Sequence, residues 1–496
     1  MKLSFEYGQG LMDAILPDST DVFIPGETVQ DPPVLSDIEA ATREAIANPM
    51  GMKRLSEQLN ADSKVAIIFP DRVKGGFQAD SHRKISIPIL IEECTKAGVS
   101  DRNITLICSN GLHRKNTKEE IRSILGDAIF NRFWDLGQIV NHDSENWDNL
   151  VDLGSEEQYN ARVIMNKTVF DADVAILVGH ALGNPYGGYS GGYKHCATGI
   201  THWKCIGAHH NPSVMHRSDF VPVSTNSLMR SKFDAIGKHM ERMMGKDFFV
   251  CDAVLDTYQR QIAVFAGQAD LVQQASWKVA DKRTYVHWAE KKYDVMVFGM
   301  PQAFHYGNGM GTNPILMLQA ISAQIIRHKR ILSDNPVIIC SSACNGYFHD
   351  EEFPSYRETF ELFQKNYANT LPEIERYGEA MSMRKEYIDA YRYGYGYHPF
   401  HAFSMISCGH IAEKQCAAIY IVGAQEPGYA RAMGMKTRST FEEALLDAQK
   451  YTGSNPSILA LPKTFKTASV HLCMKGSQAS VADDIDRKST RLNSSH

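Results

Sequence analysis

The chain has 496 residues, 43% of them hydrophobic and 22% charged, an ordinary globular composition but too long for one core, since domains usually hold about 100–200 residues. A formal charge of −5 over that length builds no field for nucleic acid or an anionic membrane, and no run reaches the roughly 18 apolar residues of a membrane span. The opening MKLSFEYGQG has no secretory pattern, and the ten cysteines, Cys94 to Cys473, contain no CxxC pair, so the expectation is a cytoplasmic protein with free thiols.

Short apolar runs punctuate the chain: VAIIF (65–69), ITLIC (104–108), VAILV (174–178), VMVFG (295–299), VIIC (337–340), AIYIV (418–422) and SILALP (457–462). Their length and β-branched content predict buried strands. Between them lie the helical stretches 85–98, 313–329 and 439–451, the last opening on Ser439-x-x-Glu442 as a capping box. Alternating strands and helices predict two α/β domains with largely parallel sheets and an active site in the cleft between them. The polar helical stretch 266–294 sets the expected division: residues 1–280, carrying the cofactor and metal site, and 281–480, closing it. The aromatic-rich segment 387–403 has few strand or helix signals and reads as a lid or a packed surface loop. The tail 481–496 reads as disordered or non-native.

The densest chemistry lies in GHALGNPYGGYSGGYKHCATGITHWKCIGAHHNP (179–212), since six of nineteen histidines fall between His180 and His216. Five glycines between Gly183 and Gly192 let backbone N–H groups approach an anion closely. The segment contains neither a P-loop nor a dinucleotide fingerprint. Gly188-Tyr189-Ser190-Gly191-Gly192 matches the G-x-S-x-G nucleophile elbow in letters. An elbow needs a strand directly before the serine, and VAILV ends about twelve residues earlier.

Ser190-Gly191-Gly192-Tyr193-Lys194, with His210 sixteen residues after the lysine, resembles the signature of the nickel-pincer lactate racemase family. Pro70-Asp71-Arg72-Val73-Lys74 is similar to that family's Asp-x-x-Arg loop, and Gly111-Leu112-His113-Arg114 to its Gly-Phe-His-Arg catalytic loop. The resemblance implies a pyridinium-derived thioamide mononucleotide tethered to Lys194, nickel held by His210, and Asp71, Ser190, Gly191 and Gly192 around the cofactor. It further implies His113 as one acid/base, a 2-hydroxy acid as substrate, racemase or epimerase activity by hydride transfer, and enzymes that build the cofactor as maturation partners.

Three departures bear on the substrate. The family's second histidine, ten residues before the lysine, is Asn184 here, so His180 or His305 is the candidate for the second base. The family's carboxylate-binding arginine aligns with Lys74 and a helix lysine with Gln319, while the apparent insertion 75–84 brings His82, Arg83 and Lys84 as candidates to restore the charge. These changes argue against lactate and toward a larger, more hydroxylated acid. Two other functions are carried: a non-catalytic homologue binding an anionic ligand, and a serine hydrolase using Ser190.

Overall fold

A computed structural model describes residues 1–73, 82–364, 370–465, 467 and 470–475. Lys74, most of the apparent insertion and the tail 481–496 lie outside the described residues. Two large sheets organise the chain. The first runs, in spatial order, Gln261–Gln268, Phe249–Leu255, Val174–Ala181, Val65–Pro70, Ile104–Ser109 and Ile139–Asn141, parallel except for the outer pair Phe249–Leu255 and Gln261–Gln268. Alternation explains why its central strand is apolar throughout. Ile67 and Phe69 pack into the core on one face, Ala66 and Ile68 into the core on the other, as a strand covered on both sides requires.

The second sheet centres on Tyr293–Pro301, paired in parallel with Leu332–Ser341 and Ile458–Leu461, and extends through Ala418–Val422 to Lys436–Arg438. It also takes up the start of the chain. Lys2–Gly8 pairs in parallel with the end of Tyr293–Pro301, Tyr7 opposite Met300, and Gly10–Ile15 pairs back on Lys2–Gly8. Phe5 is fully buried with Val295, Val297 and Val337, its ring 4.9 Å from Phe441. The division at 1–280 is therefore corrected at its beginning: residues 2–22 are built into the second sheet because their apolar side chains complete its core. The chain crosses from the first sheet to the second along Ala269–Thr284.

Two further expectations change. The segment 387–403 is mostly helical, spanning the end of Lys385–Tyr393 and the start of Pro399–Gln415, with Tyr391 and Tyr397 buried. Its helical character was masked by bulky residues that serve packing. The capping box of Phe441–Thr452 sits one residue later than read, on Thr440 and Glu443. Glu442 accepts instead from Ile15 N at 2.9 Å. No helix among the described residues is long and apolar enough to cross a membrane.

Candidate active site

Loops leaving the carboxyl ends of Val65–Pro70, Ile104–Ser109, Val174–Ala181 and Tyr293–Pro301 converge on one cavity of about 410 Å³, where parallel α/β sheets place ligands. The helices Pro314–His328 and Pro399–Gln415 close its far side with Gln319, Arg327, His401 and Ser404. Both sheets thus contribute to a single cleft.

The lysine loop is shaped by backbone geometry. Gly183–Asn184 and Gly188–Tyr189 form a small hairpin, Tyr186 at its tip, and Gly191 precedes the helix Gly192–Gly199. Gly191 and Gly192 have φ of +79° and +52°, and a Cβ at either would come within 2.4 Å of Asp252 or 2.3 Å of Gln273. Only glycine fits both the angle and the space. Asp252, 1% exposed, accepts from Gly192 N at 2.9 Å, and burial raises its pKa to about 7. The helix begins there, which puts Lys194 in its first turn, buried yet bordering the cavity, with Nζ 5.6 Å from the Tyr186 ring centre.

His210 borders the same cavity and stacks on Tyr186 at 5.1 Å. Its neighbour His209 is fully buried, and burial lowers its pKa to about 3, so that ring is neutral. His209 Nε2 lies 3.4 Å from Ala197 O and its Nδ1 lies 2.6 Å from His210 Nδ1. A carbonyl only accepts, so His209 carries its proton on Nε2 and offers the Nδ1 lone pair; His210 then donates Nδ1–H. The lone-pair nitrogen of His210 is Nε2, and a histidine fixed this way by its other nitrogen is suited to metal binding. Among the described residues no three His, Cys, Asp or Glu side chains converge as a metal-binding set.

His113 also borders the cavity, its Nδ1 2.7 Å from Asp71 Oδ2. With Asp71 1% exposed, the carboxylate fixes the tautomer and leaves Nε2 as the basic nitrogen. Asp71 is absent from the cavity wall; it orients His113 instead of bordering the cofactor space. Arg83 is likewise displaced from its expected role. It is 3% exposed and donates to Pro70 O at 2.7 Å and Asp71 O at 2.9 Å, bracing the loop that carries Asp71. Gly192 shapes the lysine helix without bordering the cavity.

His180, His305, Asn184, Ser190, Gly191 and Gln319 all border the cavity. His305 lies in the two-residue turn between Ala303–Phe304 and Gly307–Asn308, with φ of +39°, and Asn184 Oδ1 accepts from Tyr186 N at 2.8 Å. Ser190 donates to His180 O at 2.8 Å and its oxygen accepts from Leu182 N at 3.0 Å, a loop-closing role unlike a nucleophile's. Three wall residues escaped the sequence reading. Arg327 lies two turns after Gln319 on one helix face, a period that was available. Arg72 was passed over in favour of Lys74. His401, whose Nδ1 lies 2.6 Å from Tyr356 Oη, belongs to the aromatic-rich segment 387–403.

The fold and cleft define a two-domain α/β protein with a ligand cavity between its sheets. Residues 7–220 match the lactate racemase N-terminal domain. Lactate racemases of Thermoanaerobacterium thermosaccharolyticum and Lactiplantibacillus plantarum are 25% and 27% identical to it over 236 and 232 residues. The matched part is 47% of this chain and spans about half, 51%, of each relative's length. Among solved structures, the lactate racemase apoprotein of T. thermosaccharolyticum superposes with a TM-score of 0.68 at 18% identity, covering 95% of this chain and all of that one. A Thermotoga maritima protein superposes at 0.59 with 12% identity, covering 90% and 99%. These two likenesses concern the fold.

Proposed function

We propose that the protein is an isomerase that inverts the 2-hydroxy carbon of a 2-hydroxy acid, with a nickel-pincer mononucleotide tethered to Lys194 and nickel held by His210 Nε2. The observation that carries this reading is the sharing of one cavity by Lys194, the tautomer-fixed His210 and the Asp71–His113 pair. When bound, the group supplies a hydride acceptor beside the metal. His113 Nε2 takes the proton of the substrate hydroxyl while Asp71 stabilises the resulting imidazolium at Nδ1. Inversion calls for a second base on the other face of the carbon, and His180 and His305 are the histidines assigned to it. The cavity walls exclude water and fix the planar 2-keto acid between the two transfers.

A non-catalytic ligand-binding role is the second reading, favoured by the amide of Asn184 on the cavity wall. Turnover separates the two. Protein produced together with cofactor-building enzymes and nickel is expected to show a mass adduct on the Lys194 peptide. His210→Ala should lose nickel and His209→Ala retain most of it. An unmodified Lys194 under those conditions ends the cofactor assignment.

A further inference from the structure

The helix Pro314–His328 presents Gln319, Ala323 and Arg327 to the cavity, one residue per turn along a single face. Arg327 is half-buried and borders the cavity. Its Nε has no hydrogen-bond partner among the described residues, and no ion pair or other hydrogen bond joins it to them. Cys408, Tyr186, Tyr306 and His328 lie within electrostatic range, and burial lowers the Arg327 pKa to about 10, so it stays protonated at neutral pH. A half-buried guanidinium left without a counter-charge at a cavity wall is suited to an anionic ligand that provides one.

Its position is informative. Tyr186 is the residue that touches His210 and faces Lys194, and Tyr306 is 5.4 Å from the His113 ring. Arg327 therefore lies by both the proposed cofactor wall and the proposed base. Beside it, Gln319 Oε1 and Ser404 Oγ are buried, at 4% and 1% exposure, and have no partner among the described residues. A lone acceptor and a lone hydroxyl call for a ligand rich in hydroxyl groups, because a buried polar atom left unpaired weakens binding of any ligand that cannot reach it.

We propose that Arg327 binds the substrate carboxylate, and that Gln319 and Ser404 bind hydroxyl groups beyond the one at C2. The substrate class is thus a 2-hydroxy acid with at least one further hydroxyl. This rests on the racemase reading of the same cavity.

Equilibrium titration of cofactor-loaded protein with lactate, glycerate and gluconate tests it without requiring turnover. Lactamide serves as the neutral control. The wild type is expected to bind glycerate or gluconate about 10-fold or more tightly than lactate, and Gln319→Leu to reduce that preference to about 2-fold or less. Arg327→Gln should weaken every acid roughly 10- to 100-fold and spare lactamide, with Arg327→Lys between them. Acid affinity unchanged in both Arg327 variants overturns the proposal. So does loss of the Lys194 adduct in Arg327→Gln with acid binding intact, since the guanidinium would then hold a nucleotide phosphate. A lactate preference in the wild type overturns the hydroxyl assignment. Arginine-dependent binding without inversion removes the racemase reading and keeps the subsite; inversion with Arg327-independent affinity does the reverse.

Discussion

At the residue scale the informative groups are those whose second nitrogen is occupied. His113 and His210 each have one ring nitrogen engaged at 2.7 Å and 2.6 Å, and the proposed function gives the chemical role to the other. His113→Ala is expected to lower turnover about 10²- to 10⁴-fold, the usual contribution of a positioned base. The Lys194 adduct should survive, because His113 has no part in holding it. Steady-state rates with peptide mass analysis check both; unchanged turnover removes His113 as the base. The sequence made these histidines legible through spacing and motif. It hid what engages them, because Asp71 is 42 positions from His113 and a partner fixed by folding has no local signature. Arg83 misled for the same reason. A cation beside a binding loop looks like a ligand group until its bonds to Pro70 O and Asp71 O are seen.

At the scale of elements, periodicity found the strands and helices whose environment is uniform, such as Val65–Pro70 and Pro314–His328. It failed at Lys2–Gly8, where sequence order suggested the first domain and pairing lies with a strand nearly 300 positions away. Connection to a distant strand is a property of topology, which local pattern does not carry. If Lys2–Gly8 is integral to the second sheet, Phe5→Ala should cost about 3–5 kcal/mol, as other buried Phe→Ala changes do. A shift under about 0.5 kcal/mol in chemical denaturation, as for a surface substitution, would show that strand to be dispensable. The aromatic segment 387–403 failed differently. Tyr and Phe are weak helix formers, and burial of Tyr391 and Tyr397 supplies the stabilisation that propensity does not.

At the scale of the whole molecule, the two sheets are tied by charge across the mouth of the site. Arg114 pairs with Glu120 at 2.6 Å on its own side and with Glu352 of the second sheet's side at 2.8 Å. Arg72 reaches Glu352 at 3.5 Å and donates to Tyr306 O at 2.9 Å. All four side chains are 18% exposed or less, so screening by salt is limited and removing one partner leaves poorly solvated charge. Glu352→Ala strands two guanidiniums that share the remaining Glu120, at a cost of roughly 3 kcal/mol, the low end for breaking a buried pair. Because the network is the most buried cluster of charges that joins the domains through paired guanidiniums, beside the His398–Glu145 and Arg392–Asp143 pairs, its loss should weaken the coupling of their unfolding. Calorimetry is expected to change from one dominant transition in the wild type to two resolved ones in Glu352→Ala. If the proposed function holds, the affinity for hydroxy acids should fall with it, since Tyr306 O accepts from Arg72. A single transition shifted by less than about 0.5 kcal/mol, with acid affinity unchanged, would mean that this network does not hold the cleft together.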